Sequence, residues 1–326
     1  MPVRRICPLM LAALLAACSD LGTESFDPMA SSQKAQQAFG MVSNNPAVQH
    51  FDALSGAFTW TGAPPVLPSA AAPAAASPTD ILPPQAPLGK TFVYNSQTGE
   101  YTGSQETGAP SNGVRYLLYQ VDPAVKVIKL PPVSIGYLDL TNENTPAPNS
   151  LGVKAVANNV TVLDYKASGT AIGTSVNITA KGNVADGTGR LDFDLSQNFS
   201  PSTGIKVDYK LTAPTPDVSI QVVLTTPPGT DSKSTVTLTL TEGRNKLEVN
   251  ATGNDAAVEG TVKYNGSTLA KISGTGENPV FTGQSGRQLS AQDLEGLKKL
   301  FDFVDQVFEG FDDLLAPTYF VLGFTL

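Results

Sequence analysis

Apolar and polar residues alternate along most of residues 114–280. The period of two is clearest in Arg190–Leu195, Ile205–Leu211 and Val236–Thr241. Successive side chains of a β-strand point to opposite faces, so this alternation predicts strands with one buried and one solvated face. Turn sequences such as Asp186-Gly187 separate the runs, and no segment of helical length lies between them. The pattern predicts a mainly β (α+β) fold: one large curved antiparallel meander sheet or partial barrel.

The first strands of this sheet have a different pattern. Val114–Val121 and Ile135–Leu140 carry apolar residues on both faces, which predicts strands covered on both sides. Lys90–Tyr94 is a further strand, and Ser96–Gly99 is expected to turn the chain back in a hairpin. We therefore assign residues 89–326 to the β domain and expect the N-terminal helices to cover its early strands.

Two short helical patterns precede the sheet, within residues 32–60. Ala35, Phe39 and Val42 lie on one face of the first, and Pro46 is placed to begin the second. Residues 61–88 are a low-complexity run rich in alanine and proline. Such a composition favours extended chain, so we interpret this segment as a surface linker.

The longest helical pattern covers residues 290–316. Large apolar residues recur there at spacings of three and four, and Ser290 with Asp293 forms a capping-box pattern at the start. Proline lacks a backbone N–H, so Pro317 is expected to end the helix. The apolar residues 318–325 then predict a final buried strand.

The apolar stripe of this C-terminal helix has two interpretations. In the first it packs on the apolar face of the sheet and forms core. In the second it roofs a groove for an acyl chain, similar in architecture alone to periplasmic lipid carriers whose half-barrel sheet holds acyl chains beneath helices. The residues of this candidate groove are Leu297, Phe301, Val304, Phe308 and Phe311.

Charge and cysteine content narrow the classes of partner. The chain is 15% charged, carries a formal net charge of −8 and has no basic run. Phosphate backbones repel such a chain, so nucleic acid is excluded as a partner. Both cysteines, Cys7 and Cys18, are near the N-terminus, so no disulfide is expected to stabilise the body.

Residues 1–17 have the pattern of a secretory signal peptide. Arg4 and Arg5 form a positive start, an apolar run follows from Leu9 to Leu15, and small residues end the segment. The apolar run is too short to span a bilayer as a mature helix. Removal of this leader takes away two positive charges and leaves a mature chain of charge −10.

The leader ends in Leu15-Ala16-Ala17-Cys18, which resembles the lipobox of bacterial lipoprotein precursors. The resemblance covers the leader only. It implies that Cys18 becomes the acylated first residue, carrying palmitate or similar chains that hold the protein on the membrane. Residues 18–31 would then be a tether. In that family an Asp directly after the cysteine favours the inner membrane, so Ser19 implies the outer membrane, on its periplasmic or surface side.

Catalytic and metal-binding residues are scarce in this sequence. The single histidine, His50, lies beside Asp52 on a helical pattern, and we expect a surface or partly buried residue rather than a base. Asp192 and Asp194 share one strand face and are candidate paired carboxylates, although a solvated face explains them better. We expect no metal site built from Cys or His and no cofactor.

Three functional hypotheses follow. The first is a lipid-anchored, non-enzymatic envelope protein with a binding or structural role, holding an apolar molecule if the C-terminal helix roofs a groove. The second is an adhesion or scaffold module that binds protein or glycan through the exposed sheet face. The third is a glycan hydrolase that uses Asp192 or Asp194.

Overall fold

The structure, a computed structural model, describes nine segments of the chain, namely residues 27–53, 88–122, 124–143, 150–172, 174–215, 217–229, 232–276, 278–284 and 288–322. The predicted signal peptide, Cys18 and nearly all of the predicted linker lie outside the described residues. So does the end of the expected terminal strand, from residue 323 onward.

The described residues form three helices and 17 strands. The helices are α1 Pro28–Ser43, α2 Pro46–Ala53 and α3 Ala291–Leu322. The strands of the first half of the chain are β1 Lys90–Asn95, β2 Glu100–Gly103, β3 Gly113–Tyr119, β4 Val121–Asp122, β5 Val127–Ile128, β6 Ser134–Asn142, β7 Ser150–Ala157 and β8 Val160–Ile172. Those of the second half are β9 Ser175–Ala185, β10 Arg190–Ser200, β11 Gly204–Ala213, β12 Val218–Thr226, β13 Ser234–Glu242, β14 Asn245–Gly253, β15 Val258–Tyr264, β16 Ser267–Gly274 and β17 Pro279–Gly283.

Fifteen of these strands form one open sheet, which confirms the predicted fold class. Its order is β17-β16-β15-β14-β13-β12-β11-β10-β9-β8-β7-β6-β3-β1-β2, and β4 and β5 form a separate hairpin. From β6 to β17 each strand lies beside its neighbour in sequence, as a meander requires. Tight turns make this order possible: Asn265 and Gly266 have positive φ between β15 and β16.

One pairing departs from the predicted antiparallel order. β1 pairs with β3 in parallel, with Lys90 opposite Val114 and Phe92 opposite Tyr116. The predicted hairpin between β1 and β2 is present, with Asn95 opposite Glu100. Because the chain leaves β2 and returns along residues 104–112, β3 enters the sheet beside β1 in the same direction. The sheet is therefore mostly, and not wholly, antiparallel.

The N-terminal helices begin at polar caps followed by proline. The Asp27 carboxylate accepts a hydrogen bond of 3.0 Å from the Ala30 amide, and Pro28 is the first helical residue. The tether predicted for residues 18–31 is thus wrong over residues 28–31, where α1 has already begun. In α2 the Asn45 side chain accepts a bond from the Ala47 amide and donates one of 2.7 Å to the Val162 carbonyl of β8.

α3 begins as predicted and ends later than predicted. The Ser290 hydroxyl accepts a bond from the Asp293 amide, and the Asp293 carboxylate accepts one from the Ser290 amide, each of 3.0 Å. The helix does not stop at Pro317, and the predicted strand 318–325 is wrong over its described part. A proline inside a helix costs about 3 kcal/mol, but Thr318 and Tyr319 beyond it are buried and offset that cost.

The chain folds into two compact units, whose described residues belong to 1–39 and 197–307 in the first and to 40–196 and 308–326 in the second. In the first unit, α3 packs on α1 and on the sheet. The rings of Phe39 and Phe303 meet edge to face at 5.6 Å, and those of Phe281 and Phe301 at 5.4 Å. Gly296 lies at the closest approach of the helices, since a Cβ there would be 2.5 Å from the Met29 nitrogen.

The second unit is built on β1–β9 and α2. As expected, α2 covers early strands, because it contacts β3, β7 and β8. It also contacts the β4–β5 hairpin. The end of α3 packs here too, where the rings of Phe193 and Phe311 lie 5.7 Å apart. Buried aromatic contacts of this kind add to the free energy of apolar burial.

Candidate functional site

The five residues of the candidate groove lie along α3. In the first unit Leu297 is only 2% exposed, Val304 is buried and the Phe301 ring packs on Phe281. In the second unit Phe311 is 0% exposed and Phe308 is half-buried. Side chains that are this closely surrounded have the environment of core residues.

The contact between α3 and β8 in the second unit is also polar. Tyr165 is buried, and its hydroxyl donates a hydrogen bond of 3.1 Å to the Leu314 carbonyl. The Thr318 hydroxyl lies 3.0 Å from the same phenol oxygen. Burial raises the pKa of Tyr165, so the phenol stays protonated and keeps its donor. The contact fixes the position of α3 along β8.

His50 is buried, only 1% exposed, in contrast to the surface or partly buried position that the sequence suggested. Its Nε2 lies 2.8 Å from the Tyr101 hydroxyl, which itself donates to the Leu117 carbonyl. Because the phenol proton is used there, Nε2–H is the donor in the His50–Tyr101 pair. Among the described residues His50 Nδ1 is buried and has no hydrogen-bond partner.

Four tyrosines surround this histidine or its partner. Tyr101 meets Tyr116 edge to face at 5.2 Å and lies 6.0 Å from Tyr94, while the His50 ring lies 6.4 Å from Tyr119. Burial in this aromatic surrounding lowers the pKa of His50 to about 4. The imidazole is therefore neutral at pH 7, and burial also raises the pKa of Tyr101. Sequence reasoning missed this cluster because its members lie on four separate elements, α2, β1, β2 and β3.

Asp192 and Asp194 lie on the solvent-facing side of β10. Asp192 pairs with Arg190 at 2.6 Å, and Asp194 pairs with Lys181 at 2.9 Å. The apolar residues between and beside them, Leu191 and Phe193, are buried. Each carboxylate therefore has its own cation and is open to water, which is the environment of a solvated strand face.

A small cavity of about 170 Å³ lies in the first unit between the start of α1 and β13–β15. The Lys34 ammonium and the Glu242 carboxylate meet beside it at 2.9 Å. The second Glu242 oxygen is buried and finds no hydrogen-bond partner within the described part of the chain. The cavity is below the size of usual ligand pockets. No local sequence signal predicts it, since its two sides are some 200 residues apart.

The first unit has a polar sheet face with a regular cross-strand arrangement. Alternate residues of β13 pair with residues of β14 across the strands: Thr235 with Thr252, Thr237 with Asn250 and Thr239 with Glu248. Thr235 and Thr252 hydroxyls lie 3.2 Å apart, and Thr237 donates to Asn250 at 3.0 Å. Leu238, Leu240 and Val249 between them are buried, as the alternation predicted.

Comparison with known proteins adds no assignment: no family model matches the chain, and no match is found among curated proteins or solved structures. Within the described segments, His, Cys, Asp and Glu nowhere gather in threes that could hold a metal ion. None of the three described helices combines the length and apolar character needed to cross a membrane.

Proposed function

We propose that this chain is a lipid-anchored protein of the cell envelope with a non-enzymatic, structural role. The leader and the lipobox-like sequence before Cys18 support the anchor. Outer-membrane placement follows from Ser19 at the position after the cysteine. The body held there would be a wide β-sheet with one apolar face under helices and one polar face in water.

The burial of Phe311 carries the choice of a structural role over that of a lipid carrier. A carrier needs an open volume of several hundred Å³ beneath its lid. Phe311 instead fills the space between α3 and β10 and packs on Phe193 at 5.7 Å. Leu297 is buried in the first unit in the same way. The apolar stripe of α3 thus favours core, and an acyl ligand remains the less supported version.

The polar face supports a scaffold or adhesion version of this role. Threonine, asparagine and charged side chains are arranged there in cross-strand pairs over a rigid sheet. Such a surface offers hydroxyl, amide and charged groups at fixed spacings to a protein or a glycan. A hydrolase based on Asp192 and Asp194 has less support, because each carboxylate is exposed and paired with its own cation.

The anchor is tested by growth of producing cells with an alkyne analogue of palmitate, followed by mass spectrometry of the purified protein. We expect label on Cys18 and its complete loss in Cys18→Ser. Cys7→Ser is the matched control, because Cys7 lies inside the predicted leader and should not affect labelling. An unlabelled wild-type protein would rule out the anchor.

The structural role is tested separately with a fluorescent fatty-acid analogue. Because Phe311 occupies the space that an acyl chain would need, we expect no saturable binding to the wild-type protein. Saturable binding that Phe308→Trp weakens would overturn the structural role in favour of a carrier. Phe308 is the suitable position because it is half-buried. A larger ring there should change the exposed side of α3 and leave the buried contacts between α3 and the sheet in place.

A further inference from the structure

The β4–β5 hairpin carries the densest group of exposed apolar side chains in the described part of the chain. Eight large apolar residues are exposed in the described part of the chain, and four of them lie within residues 125–133. We refer to these four as the apolar tip: Val125, Val127, Leu130 and Val133, which are 63%, 52%, 67% and 49% exposed. Scattered exposed apolar residues are ordinary, but a cluster of them marks an interaction surface.

The hairpin that presents this tip is firmly held. The Gln120 carbonyl accepts a bond of 2.9 Å from the Lys129 amide, and the Gln120 amide donates one of 3.0 Å to the Val133 carbonyl. At the turn the Lys126 amide bonds the Asp122 carbonyl at 2.8 Å. The tip is therefore an ordered part of the fold, and its exposure is a property of that fold.

The alternation of side chains explains why the tip faces outward. Ile128 is buried against Tyr119, with Leu117 and Val121 packed beside it. Val127, its neighbour in β5, must point to the opposite side and is exposed. α2 contacts both strands of the hairpin and supports it from within the second unit. One face of the hairpin is thus used for packing, and the other presents apolar groups to the outside.

The charged residues near the apolar tip indicate which kind of partner surface it binds. Acidic residues outnumber basic ones by 29 to 21 in the chain, yet residues 121–133 contain two lysines and a single acid, Asp122, which precedes the apolar tip. Lys126 and Lys129 are exposed among the apolar side chains. An exposed apolar tip with lysines beside it matches a bilayer of anionic phospholipid, where apolar groups enter the acyl boundary and lysines remain at the headgroups.

We propose that the apolar tip docks on an anionic lipid bilayer as a second membrane contact of the body. This proposal rests on the membrane location given by the proposed Cys18 anchor. The tip would hold the second unit against the surface, whereas the anchor alone would leave the body free to turn on its tether.

The test places a single indole in the tip. The chain has one tryptophan, at position 60, so Leu130→Trp in a Trp60→Phe background carries the only reporter. The protein is incorporated into vesicles of phosphatidylethanolamine and phosphatidylglycerol whose acyl chains are brominated. Because an interfacial side chain reaches the acyl boundary, we expect emission to shift to the blue and to fall by roughly half. Val280→Trp in the same background is the matched control and should not be quenched, since Val280 on β17 is also an exposed apolar residue, at 53%.

The lysine contribution is measured with Lys129→Glu added to the Leu130→Trp reporter. We expect weaker quenching in the anionic vesicles and no further loss in neutral phosphatidylcholine vesicles, where the wild-type tip should also dock less. A reporter at position 130 that is quenched no more than the one at position 280 would overturn the proposal. So would an indole that is already shielded without vesicles and unchanged by them, since the tip would then be covered by protein.

The anchor and the tip can fail independently. Mass spectrometry of Cys18 reports on the anchor alone. Unacylated protein can be mixed with the same vesicles, so quenching at position 130 reports on the tip even when Cys18 carries no lipid. Circular dichroism of every variant should match that of the wild type, because all of the substituted tip side chains are exposed.

Discussion

The Tyr165 hydroxyl of β8 donates a hydrogen bond of 3.1 Å to the Leu314 carbonyl of α3, three residues before a proline that the helix passes through. The Thr318 hydroxyl lies 3.0 Å from the same oxygen. These two bonds connect the sheet to the part of α3 whose backbone hydrogen bonding the proline interrupts. They add polar contacts to the apolar packing that holds the second half of α3 on the sheet.

Tyr165→Phe should lower the free energy of unfolding by about 1–2 kcal/mol, because it leaves a buried hydroxyl without its partner. The measurement is urea denaturation followed by circular dichroism. Adding Thr318→Val removes that stranded hydroxyl, so the double variant should be more stable than the two single losses added together. Strict additivity would mean that the two hydroxyls do not interact.

The pH dependence of stability should reveal His50. Its pKa is about 4 in the folded protein and 6.5 in the unfolded chain, so between these values the unfolded chain binds the extra proton. The contribution of neutral His50 to stability is therefore complete above pH 6.5 and is lost as the pH is lowered towards 4. From pH 7 to pH 5 we expect a loss of about 2 kcal/mol from this residue.

His50→Phe is the variant that checks this origin. It keeps an aromatic ring in the cavity and removes the only histidine of the chain. Its absolute stability is expected to fall because Tyr101 loses a donor, but the loss of stability between pH 7 and pH 5 should disappear. The remaining pH dependence should have the opposite sign, because burial raises the pKa of Asp312 to about 6 and the folded protein then binds a proton more readily than the unfolded chain. A variant with the same slope as the wild type would assign the pH dependence to carboxylates.

Gly296 should tolerate no side chain although it lies in a helix. Alanine has the higher helix propensity by about 1 kcal/mol, but its Cβ would lie 2.5 Å from the Met29 nitrogen and push α1 away from α3. We therefore expect Gly296→Ala to lower the thermal midpoint. Gly40→Ala in α1 is the matched control. Its Cβ would lie 3.6 Å from the side-chain amide nitrogen of Asn44, which is an ordinary contact, so a small rise in the thermal midpoint is expected. A gain at both positions would contradict the close packing of the helices.

The Arg115–Asp139 pair should contribute more to the free energy of unfolding than the exposed Lys181–Asp194 pair. Arg115 bonds both Asp139 oxygens at 2.7 Å and its guanidinium lies 3.6 Å above the Tyr137 ring. Asp139→Asn should therefore cost about 2 kcal/mol of unfolding free energy. Asp194→Asn, which breaks the exposed pair with Lys181, should leave the thermal midpoint unchanged. Equal effects would show that burial does not decide the strength of these pairs.

The parts of the fold that local patterns determine were predictable from the sequence. Alternation gave the meander strands, and Ser290 with Asp293 marked the start of α3 because the capping box uses neighbouring residues alone. The predicted end of α3 at Pro317 was wrong. The cost of a proline in a helix can be estimated from the local sequence, but the burial that offsets it depends on the distant strand β8. The parallel β1–β3 pair also arises from the path of residues 104–112, which carries no periodic signal.

In the candidate site, too, local patterns were predictable and long-range contacts were not. The stripe of α3 was visible as a spacing, but whether it covers a groove depends on residues such as Phe193, over a hundred positions away. The burial of His50 was hidden because its partner Tyr101 is 51 residues distant. No prediction was made for the exposed valines of residues 125–133, because a sequence does not state which face of a short hairpin has a covering layer.

The two edges of the sheet have a consequence for association between molecules. The two outermost strands are the shortest of the fifteen strands in the sheet. β2 has four residues, and β17 has five, one of which is Pro279. A neighbouring copy that approached either edge would find few backbone groups to bond, and proline provides no amide hydrogen. A sheet of this width is thereby poorly suited to polymerise into fibrils by the stacking of one molecule on the next.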